Sequence, residues 1–324
     1  MSAIASKILR NNEVPLEGLV GKSVSVIGYG NQGKSHALNL RDSGIDVTIG
    51  ARNLKNAIGD GFNAVTIADA SNADLVIIAL PDEVQGEIYK THIHPNLSPN
   101  ATIGFIHGFA LHYGQIDPPA GIGVVMVAPK GPGITVREKF LGGNGVLALF
   151  AVERENETST ARAIALGWAA GIGSARAGVL ESTFKNETET DLFGEQAIIV
   201  GGLSTLISAS FETLVQAGYP PELAYIECCH EVKQVADIIQ EKGIAQMMQA
   251  ISNTAEMGAY EAMDLLDNEQ LRSNLRTLLH NVKNGSFAKR LVSDDIENKR
   301  EELSKHEIEQ VGKEIRSIMH QDDD

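Results

Sequence analysis

The 324-residue chain has only two cysteines, and they are neighbours, Cys228 and Cys229. Adjacent thiols cannot staple distant segments, so a disulfide-framed secreted domain is excluded and the reduced thiols of a cytoplasmic protein are expected. Positive charge is also scarce, with 27 Lys and Arg against 42 Asp and Glu, a net charge of −15. So acidic a chain lacks the electrostatic footprint of a nucleic-acid or anionic-membrane partner, which leaves room only for a local basic pocket for a small phosphate. By inspection no run reaches the ~20 apolar residues of a membrane span, and the opening MSAIASKILRNNEVP has no secretory apolar core. There is no internal repeat, and the closing QDDD reads as a frayed acidic tail.

What is present is an ordinary globular composition, 43% hydrophobic. Single cores rarely grow past ~250–300 residues, so two domains are expected. From residue 22 to about 182, short apolar runs alternate with helical segments. KSVSVIG, DVTIGA, ADLVIIALP, ATIGFIHG and GVVMVAPKG read as buried parallel strands closed by Gly or Pro, VLALFAV adds another, and TSTARAIALGWAAGIG follows as a helix. This alternation predicts a Rossmann-like, doubly wound α/β sheet in domain 1–182. Beyond it, five long segments from QAIIVGGLSTLISASFETLVQAG to NKREELSKHEIEQVGKEIRSIM read as helices, with Gly, Pro and Asn stops, so 183–324 is expected to be all-helical.

Gly28, Gly30 and Gly33 stand in G-x-G-x-x-G spacing, after an apolar strand and before a helix. Gly28 permits the tight turn, Gly30 lets backbone approach a pyrophosphate, and Gly33 lets helix pack on strand. The helix N-terminus then stabilises the anion, so a dinucleotide is expected. At the end of the second strand a NAD site usually carries an acid; this chain has Arg52, with Lys55 close by. Unless Arg52 is merely solvated, such cations suit a 2′-phosphate and favour NADPH.

Asp191 and Glu195 lie one helical turn apart beside Leu192 and Phe193, and Glu227 and Glu231 repeat the spacing beside Ile226, Cys228, Cys229 and Val232. Like charges at i,i+4 repel, which a solvated face tolerates. Two such pairs on apolar helices place at least one carboxylate of the second pair near the core. Burying it unpaired is costly, and a divalent cation would resolve the cost. Oxygen-only ligands imply Mg²⁺ before Zn²⁺. His107 and Lys130 close two strands of the sheet, at the carboxyl ends where such sheets bind ligands, although either could be a structural or surface residue.

Together IGYGNQG, LPDEVQ, HGF, VAPKGPG, ARAGVLESTFKNETETDLFGEQ, FETLVQAGYPPELAYIECCHE and AISNTAE resemble the short, class I ketol-acid reductoisomerases (acetohydroxyacid isomeroreductases) over about residues 14–318. The resemblance implies a two-Mg²⁺ enzyme of valine, leucine and isoleucine biosynthesis. It would isomerise and reduce 2-acetolactate and 2-aceto-2-hydroxybutyrate with NAD(P)H. It also implies a knotted helical domain and at least a homodimer. Carried over by motif, Asp191 would bridge both ions, Glu195 would complete the first, and Glu227 and Glu231 would serve the second. Ser252 would hold the substrate carboxylate, Lys130 would hydrogen-bond the oxygens the ions hold, and His107 matches the active-site histidine. Glu231 is the candidate proton carrier. Gly28, Tyr29, Gly30, Asn31, Gln32, Gly33, Arg52, Asp82, Glu83, Val84, Gln85 and Gly133 match the cofactor contacts.

The chain departs from the family pattern at several points. ARNLKNAIGDGF is about five residues shorter than the usual loop resembling LREGSKSW and lacks its serines, so NADH or dual use stays open beside NADPH. Asn31 replaces a usual Ser, and GKSHALNL stands where GHAHALNL is common. Asn253 replaces Asp and Met257 replaces Tyr near the substrate pocket, which leaves alkyl-group preference open. Two other readings remain at this point: a metal-independent NADP-dependent 3-hydroxyacid dehydrogenase, and a non-catalytic dinucleotide-binding relative.

Overall fold

The structure, a computed structural model, describes residues 7–293 and 296–319. The chain divides into two compact units, Met1–Thr190 and Asp191–Asp324. That division falls inside helix Phe184–Gly194, whereas the expected boundary at 182 lies in the loop preceding it.

The first unit is built on nine strands: β1 (Ile8–Leu9), β2 (Val24–Ile27), β3 (Val47–Gly50), β4 (Asn63–Val65), β5 (Leu75–Ile78), β6 (Thr102–Phe105), β7 (Gly123–Pro129), β8 (Ala148–Arg154) and β9 (Val179–Glu181). Their order is β1-β9-β8-β7-β6-β5-β2-β3-β4. The pairs from β4 through β2 and β5 to β7 are all parallel. Every residue of β2, β5, β6 and β7 is buried, because helices cover both faces and neither side of the strand meets water. One apolar layer holds Val26, Leu40, Ile49 and Trp168; the other holds Ile27, Val76, Phe105 and Met126. Across the first, Trp168 Nε1 donates to His36 Nδ1 at 3.0 Å and ties the glycine-loop helix Asn31–Asp42 to helix Ala161–Gly171.

The strand order turns back between β2 and β5, so a crevice opens at their carboxyl ends. All six expected strands are present, and the doubly wound reading holds. The structure adds β1, β4 and β9, which are two or three residues long and too short to carry a periodic signal. β8 runs antiparallel to β7, with Ala148 opposite Pro129, because the chain re-enters the sheet at the end it has just left.

In the second unit the described residues are helical throughout. Several expected helices are divided. Asn268–Leu271 and Ser252–Ala255 capping bonds start new helices, and Asn284–Gly285 separates Glu269–Lys283 from Ser286–Ser293. Phe211, Ala224, Tyr225 and Ile308 form a small core, in which Arg316 donates to the Tyr225 hydroxyl at 2.8 Å. One expectation is corrected: the helical stretch Phe184–Gln216 has an 18-residue window of mean hydropathy 1.7, long and apolar enough by length and composition to cross a membrane. Its Gly, Ser and Thr residues broke the apolar run by inspection without lowering its average enough.

Candidate active site

The three glycines of the first βα turn are each required for a different reason. Gly28 has φ +100°, and a Cβ there would stand 2.5 Å from the Ala79 carbonyl oxygen, so the turn crosses directly against β5. A Cβ on Gly33 would stand 2.3 Å from the Gly28 carbonyl oxygen, which is the helix-on-strand contact. At Gly30 nothing lies within 4 Å of such a Cβ. The opening beside Gly30 is where a pyrophosphate reaches the helix N-terminus.

A cavity of about 530 Å³ occupies the crevice. Gly28, Tyr29, Gly30, Asn31, Gln32, Arg52, Asp82, Gln85 and His107 line it, together with Asn53 and Asn56. Gly33, Glu83, Val84 and Gly133 do not line it. Gly33 packs beneath the turn, Glu83 and Val84 belong to the same helical turn as Asp82, and Gly133 packs on the glycine loop, where a Cβ would stand 2.4 Å from the Asn31 carbonyl oxygen. Gln32 Nε2 donates to the Gly131 carbonyl at 3.0 Å, which also holds the loop after β7 against this turn. Gln85 is buried and donates to Leu80 O and Asp82 Oδ1, while its Oε1 has no partner among the described residues. That acceptor, the open space at Gly30 and a cavity of about 530 Å³ between them fit a dinucleotide.

Beside this cavity His107 and Lys130 meet on one buried carboxylate, Glu187. Its side chain has no exposure, while those of His107 and Lys130 are 20% and 28% exposed. Lys130 Nζ donates to Oε1 at 2.7 Å, Gly108 N–H donates to Oε2 at 3.0 Å, and His107 Nδ1 lies 3.1 Å from Oε2. Facing a carboxylate, Nδ1 carries the proton, which turns Nε2 into the ring's basic edge. Burial alone would raise the Glu187 carboxyl, but the His107 ring and the Lys130 ammonium outweigh it and hold the group down at about 2. The approach depends on Gly108, since a Cβ there would stand 2.3 Å from Thr188 Oγ1. Glu187 was not singled out from sequence, although it stands four residues before Asp191 and extends the series of acids at helical spacing.

Asp191 follows Glu187 by one turn of the unbroken helix Phe184–Gly194, a carboxylate oxygen of each lying within 4.8 Å of the other. Glu195 opens a π-helical turn, Glu195–Ile199, and a second such turn spans Ile226–His230, including Glu227 and ending against Glu231. Wider turns of this kind re-aim side chains and cluster at functional sites. One expectation is corrected here: Glu227 and Glu231 are both exposed, as is Glu195, so burial does not compel a cation at the second pair. The apolar neighbours Ile226, Cys228, Cys229 and Val232 are themselves only part-buried, so that face does not draw either carboxylate into a core. Ser252 is exposed too, and its Oγ caps helix Asn253–Leu266 by accepting from Ala255 N–H at 3.2 Å.

Comparison with known families gives matches over both units. A family model for "Acetohydroxy acid isomeroreductase, NADPH-binding domain" matches residues 18–178, and one for "Ketol-acid reductoisomerase, C-terminal domain" matches residues 184–321. The chain belongs to the ketol-acid reductoisomerase family. A solved NADH-preferring ketol-acid reductoisomerase from an uncultured archean is 40% identical, with 97% of this chain and 100% of that one covered and a TM-score of 0.94. A putative oxidoreductase from Jannaschia sp. CCS1 is 16% identical (81% and 97% covered, TM-score 0.62). An NAD-binding semialdehyde dehydrogenase protein from Cupriavidus necator is 18% identical (81% and 99% covered, TM-score 0.61). These two share the fold. As a ketol-acid reductoisomerase, the chain is an NAD(P)H-dependent oxidoreductase and isomerase of branched-chain amino-acid biosynthesis, which removes the two other readings left open by the sequence.

Proposed function

We propose that the chain converts 2-acetolactate and 2-aceto-2-hydroxybutyrate to their 2,3-dihydroxy acids with two Mg²⁺ ions. The observation that carries this reading is the buried Glu187 with Lys130 and His107 fixed on it, beside a dinucleotide cavity. Asp191, Glu195, Glu227 and Glu231 would hold the ions, an all-oxygen donor set suited to a hard cation. When bound, Mg²⁺ supplies Lewis-acid polarisation of the substrate's ketone and acidifies its hydroxyl.

The chain's own residues do the rest. Glu187 keeps Lys130 charged and in place, so its ammonium stabilises the negative charge that develops on the substrate oxygen. His107, with its proton on Nδ1, presents a basic nitrogen. Glu231, exposed on its helix, can carry a proton to or from solvent. Ser252 would hold the substrate carboxylate, and its hydroxyl proton is available because its oxygen acts as acceptor in the helix cap. The glycine loop would hold the cofactor's pyrophosphate, and the nicotinamide, when bound, would supply the hydride for the reduction.

Both nicotinamide cofactors would serve. Arg52 lines the cavity with Asn53 and Asn56, where a NAD site usually carries an acid, and with Lys55 three residues on, it attracts a 2′-phosphate, although Asp82 also lines the cavity. Two carboxamides in place of the longer serine loop suit a 2′-hydroxyl equally, and the 40% identical relative prefers NADH. The protein would work in the cytoplasm as a homodimer or larger homo-oligomer. Exposed Ile198, Ile199, Val200, Leu265 and Leu266 give the helical unit apolar surface that a second copy would cover; a monomeric mass by light scattering at micromolar concentration would contradict this.

The test is oxidation of NADPH and of NADH in the presence of 2-acetolactate, with and without Mg²⁺. Turnover that appears with Mg²⁺ and vanishes on chelation is expected with both cofactors. Equal turnover after chelation would overturn the metal assignment, and none under any condition would overturn the substrate.

A further inference from the structure

The short connection between β3 and β4 is fastened to the glycine-loop helix through one carboxylate. Asp60 stands one turn beyond Asn56, which lines the nucleotide cavity. Its Oδ2 accepts from the Tyr29 hydroxyl at 2.8 Å and pairs with Lys34 Nζ at 2.7 Å, and its backbone oxygen accepts from Arg41 Nη1 at 2.6 Å. The Tyr29 ring, itself a wall of the cavity, meets Phe62 edge-on at 5.8 Å, and the Arg41 guanidinium lies 4.7 Å over Phe62. Both the Lys34 ammonium and the Tyr29 hydroxyl hold the Asp60 carboxyl below its usual range.

Lys34 stands on the first turn of the helix whose N-terminus faces the open space at Gly30. Arg52 lines the cavity, Lys55 follows three residues on, and Lys34 reaches the Asp60 carboxylate that the cavity wall Tyr29 also binds, so these cations are not equivalent. Arg52 and Lys55 are exposed and have no ion-pair partner among the described residues, whereas Lys34 is neutralised by Asp60. A 2′-phosphate carries roughly two negative charges and responds to each uncompensated charge nearby, while a 2′-hydroxyl responds to none.

We propose that Asp60 is a specificity-determining residue for the cofactor: by pairing Lys34 and fixing the Tyr29 hydroxyl, it sets how far the cavity favours a 2′-phosphate over a 2′-hydroxyl. Asp60→Asn frees the Lys34 charge and favours NADPH. Lys34→Gln removes the cation paired with the Asp60 carboxylate, leaving only the Arg41 guanidinium beside it, and favours NADH. The double variant restores the net charge of the native pair. The proposal rests on reading the cavity as the dinucleotide site.

The test measures dissociation constants of NADPH and NADH by nicotinamide fluorescence on the full-length protein and the variants D60N, K34Q and K34Q/D60N. Because the pair is part exposed and screened, the NADPH:NADH affinity ratio should rise about threefold in D60N and fall about threefold in K34Q. In the double variant it should return to within about twofold of the parent, and raised salt should flatten all differences. A merely structural latch would shift both affinities together and leave the ratio unmoved; that result, or a ratio moving the same way in both single variants, would overturn the proposal. A parent protein that binds neither dinucleotide would instead overturn the cavity reading, and this inference with it.

Discussion

The two units expose their functional residues in opposite ways. In the first, each group is held from several sides. Glu187 is buried between a lysine, an imidazole and a backbone N–H, and the glycine turn closes on β5 and on itself. In the second, Glu195, Glu227, Glu231 and Ser252 are exposed, and the helices that carry them present large apolar residues to solvent. The sheet unit is thus preorganised by its own packing, whereas the helical unit carries the ligands proposed for the ions on turns that packing within it leaves uncovered. Preorganised charge acts without reorganisation at the moment of reaction, so the proposed mechanism puts the burden of rigidity on the sheet unit and that of ion binding on the helical one.

The comparison can be broken most strongly at Glu187. Glu187→Gln leaves the Lys130 ammonium and the His107 ring without their shared anion. Turnover should fall roughly 100-fold, and the sheet unit should lose about 2–3 kcal/mol, discounted for the partial exposure of both partners. The same carboxylate sets an acid limit. Its folded value of about 2 lies below the ordinary 4.5, so its stabilisation is present above pH 4.5 and is lost as pH falls toward 2. Denaturant unfolding of parent and variant across that range checks both points, since the parent should lose its advantage over the variant only on acidification. An advantage that persisted at pH 2 would contradict it.

Smaller effects separate packing from binding within the glycine turn. Gly33→Ala puts a Cβ 2.3 Å from a backbone oxygen and should cost about 2–3 kcal/mol of stability. Gly30→Ala meets nothing within 4 Å, and its backbone is extended, so stability should change by less than about 1 kcal/mol. Its affinity for NAD(P)H should nevertheless fall, because a methyl group fills the space a pyrophosphate needs. Equal thermal shifts in the two variants would remove the distinction.

The sequence made the dinucleotide turn legible because its requirements are local: three glycines, a strand before and a helix after. The buried strands were legible for the same reason, being continuous apolar runs. Glu187 was not, because a glutamate on a helix looks the same whether it faces water or meets Lys130, 57 positions away in sequence. Burial of the second acid pair was misread because apolar neighbours were taken to mark a buried face, whereas Ile226, Cys228, Cys229 and Val232 are only part-buried. The Asp60–Lys34 pair joins a loop to a neighbouring helix through tertiary packing, which no local pattern shows.

The division of labour is tested most directly by Asp191→Asn, read with two titrations on the same protein. Mg²⁺ binding, followed calorimetrically, should be lost together with all turnover of 2-acetolactate, while the dissociation constant for NADPH stays within about twofold of the parent. A variant that still binds Mg²⁺ and turns over 2-acetolactate, or one that loses NADPH together with the metal, would contradict it.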